Sequence, residues 1–170
     1  MLREATRRDL PVLRAVERAA GVPFRDVGMA LVADDEPLSL EELSVFKDDG
    51  RAWVVTDASD VAVAYLLVEI VDDAAHIEQV SVHPAHARQR LGQQLIDRAE
   101  AWARERCLAS LTLTTFAEVP WNAPYYARLG FEVLSESTIG PGLRRVCREE
   151  ADHGLARWPR VVMRRIIPTS

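Results

Sequence analysis

HIEQVSVHPAHARQRLGQQLIDRAEAWA, residues 76–103, contains the change of backbone geometry on which the fold turns. Residues from Ala75 to Val82 read as a strand, and His83-Pro84 ends it. Leu91, Leu95, Ala99 and Trp102 then recur at helical spacing, predicting a helix to about Arg106 whose first turn is rich in Arg and Gln. Leu111 to Thr115 follows as a buried strand. A strand, helix, strand crossover of this kind makes its two strands parallel.

The start of that helix is a candidate anion site. The first N–H groups of a helix have no carbonyl one turn back and carry a partial positive charge, so main-chain donors can hold a diphosphate while Arg88 and Arg90 add charge. The alternative is a solvated basic helix start.

Upstream, Leu2 to Ala5 is a short strand, and Leu10, Leu13, Val16 and Ala20 mark a helix that Asp9 helps to start and Gly21 to stop. From Gly21 to Leu38 the pattern is irregular and includes the acidic cluster Asp34-Asp35-Glu36, which would attract a cationic amine or simply be solvated. Ser39 and Glu42 form a capping box for a short helix ending near Lys47. Ala52–Thr56 and Val61–Val71 are strands that form an antiparallel meander with the run to Val82.

Downstream, Pro124 and Gly130 bracket a short helix, Ala123 to Leu129, before a strand from Phe131 to Leu134. A helix from about Leu143 to His153 and a strand from Val161 to Ile167 complete a mixed α/β domain spanning residues 1–170. No repeat or linker divides it.

Composition removes several classes of function. A net charge of -5 does not supply the positive field of a nucleic-acid-coating protein. The longest uncharged run, Cys107 to Ala117, is about half the ~20 residues of a membrane helix, and the charged start has no leader-like apolar region. Two distant cysteines, Cys107 and Cys147, fit a cytoplasmic protein with free thiols, although their pairing is left open. Phosphate-loop, dinucleotide-binding, zincin and lipase motifs are absent. His83 and His86, three apart without a third ligand nearby, give no reason to expect a metal.

VSVHPAHARQRLGQQL, residues 80–95, and NAPYYARLGF, residues 122–131, resemble the GNAT acetyltransferase superfamily. That family carries [QR]-x-x-G-x-[GA] where this chain has Ala87-Arg88-Gln89-Arg90-Leu91-Gly92, and Y-x-x-x-G-F where it has Tyr126 to Phe131. Gly92 and the second motif match, whereas Ala87 and Arg90 depart from the loop pattern. Arg90 is awkward if its position needs a positive φ, although main-chain donation survives when the side chain points outward.

The resemblance implies a central, mostly antiparallel sheet with a splayed parallel pair and flanking helices, and acetyl-CoA bound as cosubstrate with no metal. Main-chain groups of Val80 and Val82 would bond the pantetheine arm, and those of Arg88, Gln89, Arg90, Leu91, Gly92 and Gln93 the pyrophosphate. Asn122 would also reach the cosubstrate, although the family's usual Asn falls where this chain has Val119. Attack on a thioester needs a neutral amine, so an ammonium of pKa ~10.4 must first lose a proton. Glu78, or else His76, is the expected base, since the family often places it on this strand. Tyr126 matches the acid that protonates the leaving thiolate, and Tyr125 points about 100° away round the helix.

The implied activity is N-acetylation of a primary amine on a small molecule or peptide by direct attack. Alternatives are a protein N-terminal or lysine acetyltransferase, and a non-catalytic acyl-CoA-binding module. No nucleic-acid or membrane partner is expected, and a homodimer is left open.

Overall fold

The computed structural model describes residues 1–169. Its strands hydrogen-bond in the order β1-β2-β3-β4-β5-β7-β6. In chain order they are β1 Leu2–Glu4, β2 Ala52–Thr56, β3 Ala62–Val71, β4 Ala74–Val82, β5 Ser110–Phe116, β6 Glu132–Val133 and β7 Arg160–Ile166. The helices are α1 Leu10–Gly21, α2 Ala30–Ala33, α3 Leu40–Asp48, α4 Leu91–Glu105, α5 Ala123–Arg128 and α6 Pro141–Asp152. This is the mixed α/β class that the sequence predicts, with β4 and β5 parallel through Ala75↔Leu111 and His76↔Thr112.

Contacts group the chain into two compact units, residues 1–68 with 78–98, and residues 69–77 with 99 onward. In the first, β2 runs antiparallel to both β1 and β3. The stripe Leu10, Leu13 and Val16 of α1 meets Leu43 of α3 and Ala52, Val54, Tyr65 and Leu67 of the strands to form a core. Entry to α1 is fixed by buried Asp9, whose carboxylate accepts from Arg3 at 2.7 and 3.1 Å and from the Thr6 N–H at 2.7 Å. Burial alone would raise the pKa of Asp9, but these hydrogen bonds hold it below the usual range.

The Ser39 capping box forms as the sequence predicts, with Ser39 Oγ accepting from the Glu42 N–H at 3.1 Å and Glu42 Oε1 from the Ser39 N–H at 3.2 Å. The stretch expected to be irregular is partly helical instead, with a 3-10 segment at Val22–Val27 followed by α2. Ion pairs flank it. Arg25 pairs with Asp34, and Arg14 and Arg18 converge on Glu36 at 3.3 and 3.1 Å, so much of the acidic cluster is already neutralised.

In the second unit, β7 runs antiparallel to both β5 and β6. The expected strand at 131–134 shrinks to two paired residues, and α6 begins at Pro141 rather than Leu143. That earlier start has a partner distant in sequence. The β3–β4 hairpin turns on Asp72 and Asp73, both left-handed at φ 51 and 61, as a two-residue turn requires. Asp72 Oδ1 accepts from Gly142 N and Oδ2 from Leu143 N, each at 2.8 Å, capping α6 from the hairpin. A Cβ at Gly142 would lie 2.7 Å from that carboxylate and 2.8 Å from Val71 Cγ1, so only glycine admits this approach.

Cys107 and Cys147 are free, and among the described residues no helix is long and apolar enough to cross a membrane. Asp72→Ala removes both cap bonds and is expected to cost about 1–2 kcal/mol, lowering Tm by roughly 2–8 °C in thermal denaturation. Asp72→Asn retains one acceptor and should fall between the two.

Candidate active site

At the end of β4 the chain passes through a short 3-10 turn, Pro84–His86, before α4 begins. Two hydrogen bonds hold the exit, from His83 N to Val63 O at 2.9 Å and from Ala85 N to His83 Nδ1 at 3.1 Å. Arg88, Gln89 and Arg90 precede α4 rather than forming its first turn, which corrects the expected boundary. The reason is conformational, because Arg88 and Arg90 are left-handed at φ 64 and 60 and such residues do not continue a right-handed helix. Arg90 therefore adopts the conformation for which a glycine is the unstrained choice, at a cost of about 1–2 kcal/mol.

This local geometry can bind an anion. Left-handed residues within a turn bring successive N–H groups to one side, and the open N–H groups of the first turn of α4, Leu91 to Gln93, continue the concavity. Arg88, Gln89 and Arg90 are exposed, so their side chains leave the main chain free to approach a ligand. Leu91, Leu95 and Ile96 are buried and fix the helix that presents these donors. Val80 and Val82 are half-buried on β4, and Glu78 on the same strand is exposed.

His76, in the second unit, has a different setting. It is 2 % exposed, and its Nδ1 lies 3.0 Å from Thr112 Oγ1. Burial holds the imidazole below its ordinary pKa, against the opposing pull of Glu69, Glu150 and Asp72, which favours its neutral form.

The Tyr126 ring packs edge-on against Phe131, with centroids 5.9 Å apart, and against Tyr125 at 5.3 Å. Burial, reinforced by Tyr125, keeps its phenol well above the usual range and therefore protonated, as a proton donor must be. Gly130 ends α5 at φ 92, turning the chain so that the Phe131 N–H reaches Tyr126 O at 3.1 Å. Asn122 Oδ1 accepts from the Phe116 N–H at 3.5 Å, tying the loop back to β5. Among the described residues no group of three or more His, Cys, Asp or Glu is placed to hold a metal.

The model of the acetyltransferase (GNAT) family matches residues 14–131. The chain belongs to this family. Solved structures of similar fold include the ribosomal-protein-S18-alanine N-acetyltransferase of Escherichia coli, with 18% identity, a TM-score of 0.65, and 100% of this chain and 95% of that one covered. The ribosomal-protein-alanine N-acetyltransferase of Brucella melitensis has 19% identity and a TM-score of 0.69 over 98% of this chain and 99% of that one. The PaiA N-acetyltransferase of Thermoplasma acidophilum, solved with coenzyme A, has 14% identity and a TM-score of 0.69 over 98% of each. Identities this low carry the fold alone. The donors of the turn before α4 are main-chain groups, a donor set chemically suited to an anion such as a diphosphate.

One residue of chemical interest escaped the sequence reading. Glu17 lies at the i+4 position from Leu13 and i−3 from Ala20, on the apolar stripe of α1, and a carboxylate there was the available signal. Its Oε1 accepts from the Tyr65 hydroxyl at 3.3 Å, and burial is the main cause that pushes its pKa up to about 7. Between 4.5 and about 7 the unfolded chain releases this proton while the folded chain keeps it, so stability falls as pH rises through that window. Glu17→Gln removes the penalty. Melting curves should show the variant more stable than wild type at pH 8, with the difference closing by pH 4.5.

Proposed function

We propose that the protein is an acetyl-CoA-dependent N-acetyltransferase acting on a primary amine of a small molecule or peptide. The observation that carries this reading is the Ala87–Gly92 turn, where a member of an acetyltransferase family offers an array of main-chain donors at the end of β4. When bound, acetyl-CoA supplies an acetyl group already activated as a thioester. Arg88 to Gln93 hold the diphosphate, Val80 and Val82 bond the pantetheine arm through their main chains, and Asn122 adds a polar contact.

Tyr126 acts as the acid, its phenol proton going to the departing sulfur. The family pattern places the base at Glu78, with His76 second, and the two differ in environment. Glu78 is exposed, whereas His76 is enclosed and partnered by Thr112. A second reading, acetylation of protein N-termini, has the support of two structural neighbours that are ribosomal-protein alanine N-acetyltransferases. Intact-mass analysis of candidate protein substrates distinguishes it from small-amine transfer.

Thiol release from acetyl-CoA on an amine panel tests the activity and separates an enzyme from a non-catalytic binder. Gly92→Glu places a carboxylate among the diphosphate donors, and calorimetry should register loss of coenzyme A binding by a folded protein. Undiminished affinity would remove the turn from the site. Tyr126→Phe should keep coenzyme A affinity while kcat falls by ~10²-fold or more. A larger loss in Tyr125→Phe than in Tyr126→Phe would reassign the acid.

A further inference from the structure

The two edges of β5 are held very differently. On one, every residue of the strand pairs with β7, from Ser110↔Ile166 to Phe116↔Arg160. On the other, β5 meets β4 in a parallel ladder with two registered pairs among the described residues, Ala75↔Leu111 and His76↔Thr112. Parallel pairing is the weaker kind per residue, and two pairs are a slight hold on a strand of nine residues. The second pair carries a side-chain bond as well. His76 Nδ1 lies 3.0 Å from Thr112 Oγ1, and both residues are 2 % exposed. In an interior without water such a bond is strong while it is made and costly once one partner is lost.

We propose that His76 is a positioning residue, which with Thr112 fixes the register of β4 against β5 and thereby the main-chain groups that β4 presents to the pantetheine arm. The proposal rests on the acetyl-transfer reading, which assigns that arm to Val80 and Val82, four and six residues further along the same strand. Only the observed register sets an imidazole nitrogen opposite a hydroxyl, because the neighbours Ala75 and Ile77 have no polar side-chain atom. A slip of one residue would lose this bond and set Gln79 and Ser81 where Val80 and Val82 now stand.

The same enclosure closes the imidazole to an acceptor. A base must come within hydrogen-bond reach of the ammonium it deprotonates, whereas this ring is buried with one nitrogen already engaged by Thr112. Negative charge acts on it from Glu69 on β3, Asp72 in the hairpin turn and Glu150 on α6, yet burial outweighs all three and favours the neutral ring. A neutral imidazole can hold a hydroxyl in place without bringing a charge into the core.

Calorimetry with coenzyme A, joined to steady-state rates from pH 6 to 9 on acetyl-CoA with phenethylamine, putrescine and an alanine-terminated tetrapeptide, tests the assignment. Thr112→Val removes the hydroxyl at nearly constant volume. It should weaken coenzyme A binding about fivefold and raise KM for acetyl-CoA by a like factor, and Thr112→Ser, which keeps the hydroxyl, should restore most of the affinity. His76→Asn retains a polar group toward Thr112 but cannot take up a proton near neutrality. It should lower kcat/KM by one factor at every pH, leaving the shape of the wild-type profile in place. A lowered Tm in Thr112→Val with coenzyme A affinity unchanged would make the bond a core contact only and overturn the proposal. An acid limb present in wild type and lost in His76→Asn would make His76 the base and overturn it too, and this comparison decides alone if Thr112→Val does not fold. Wild-type protein that fails to bind coenzyme A would overturn the acetyl-transfer reading together with the role of His76. Protein that binds coenzyme A yet acetylates none of the three amines would overturn the transfer reading, and the affinities of the Thr112 variants would then judge His76 separately.

Discussion

The turn between β4 and α4 must leave a strand and start a helix within a few residues while aiming amide hydrogens outward. Two left-handed residues accomplish this, and both are arginines rather than glycines. A left-handed arginine persists only where its surroundings enforce it. Here the enforcement is local: His83 is bound to Val63 on one side, and Leu91, Leu95 and Ile96 are sunk in the core on the other. The donors that the proposed cosubstrate site needs therefore follow from packing at both ends of the turn.

Buried polar groups elsewhere follow one rule with two outcomes. Asp9 is buried but receives the guanidinium of Arg3 and an N–H, so it stays ionised and pins the start of α1. Glu17, on the same helix, receives only a phenol directly and has its nearest arginines shared with Glu36, so burial prevails. The difference between a structural carboxylate and a titrating one is thus the number of full charges and N–H groups within hydrogen-bond reach.

Most of the fold was legible in the sequence because its signals are local. The stripe of α1, the Ser39–Glu42 box and the glycine after α5 each specify an element within a few residues. What stayed illegible depends on partners distant in sequence. Pro141 rather than Leu143 begins α6 because Asp72 caps it, and residues 22–33 coil into helical turns beside ion pairs with Asp34 and Glu36. The candidate site divides in the same way. The positions of the turn and of Tyr126 were readable from motif spacing, whereas the bond from Tyr65 to Glu17 joins a strand and a helix that no motif connects.

The placement of β7 has a consequence for how the second unit comes together on the ribosome. Last in chain order of the seven strands of the described residues, β7 lies between β5 and β6, which are both made earlier. Until β7 arrives, β6 has no antiparallel partner in the ladder and the β7-facing edge of β5 is open. Strand pairing here is non-local and delayed, the situation in which nascent chains expose a sticky edge and benefit from chaperones. A chain cut before Arg160 would therefore lack the one strand that pairs with both β5 and β6.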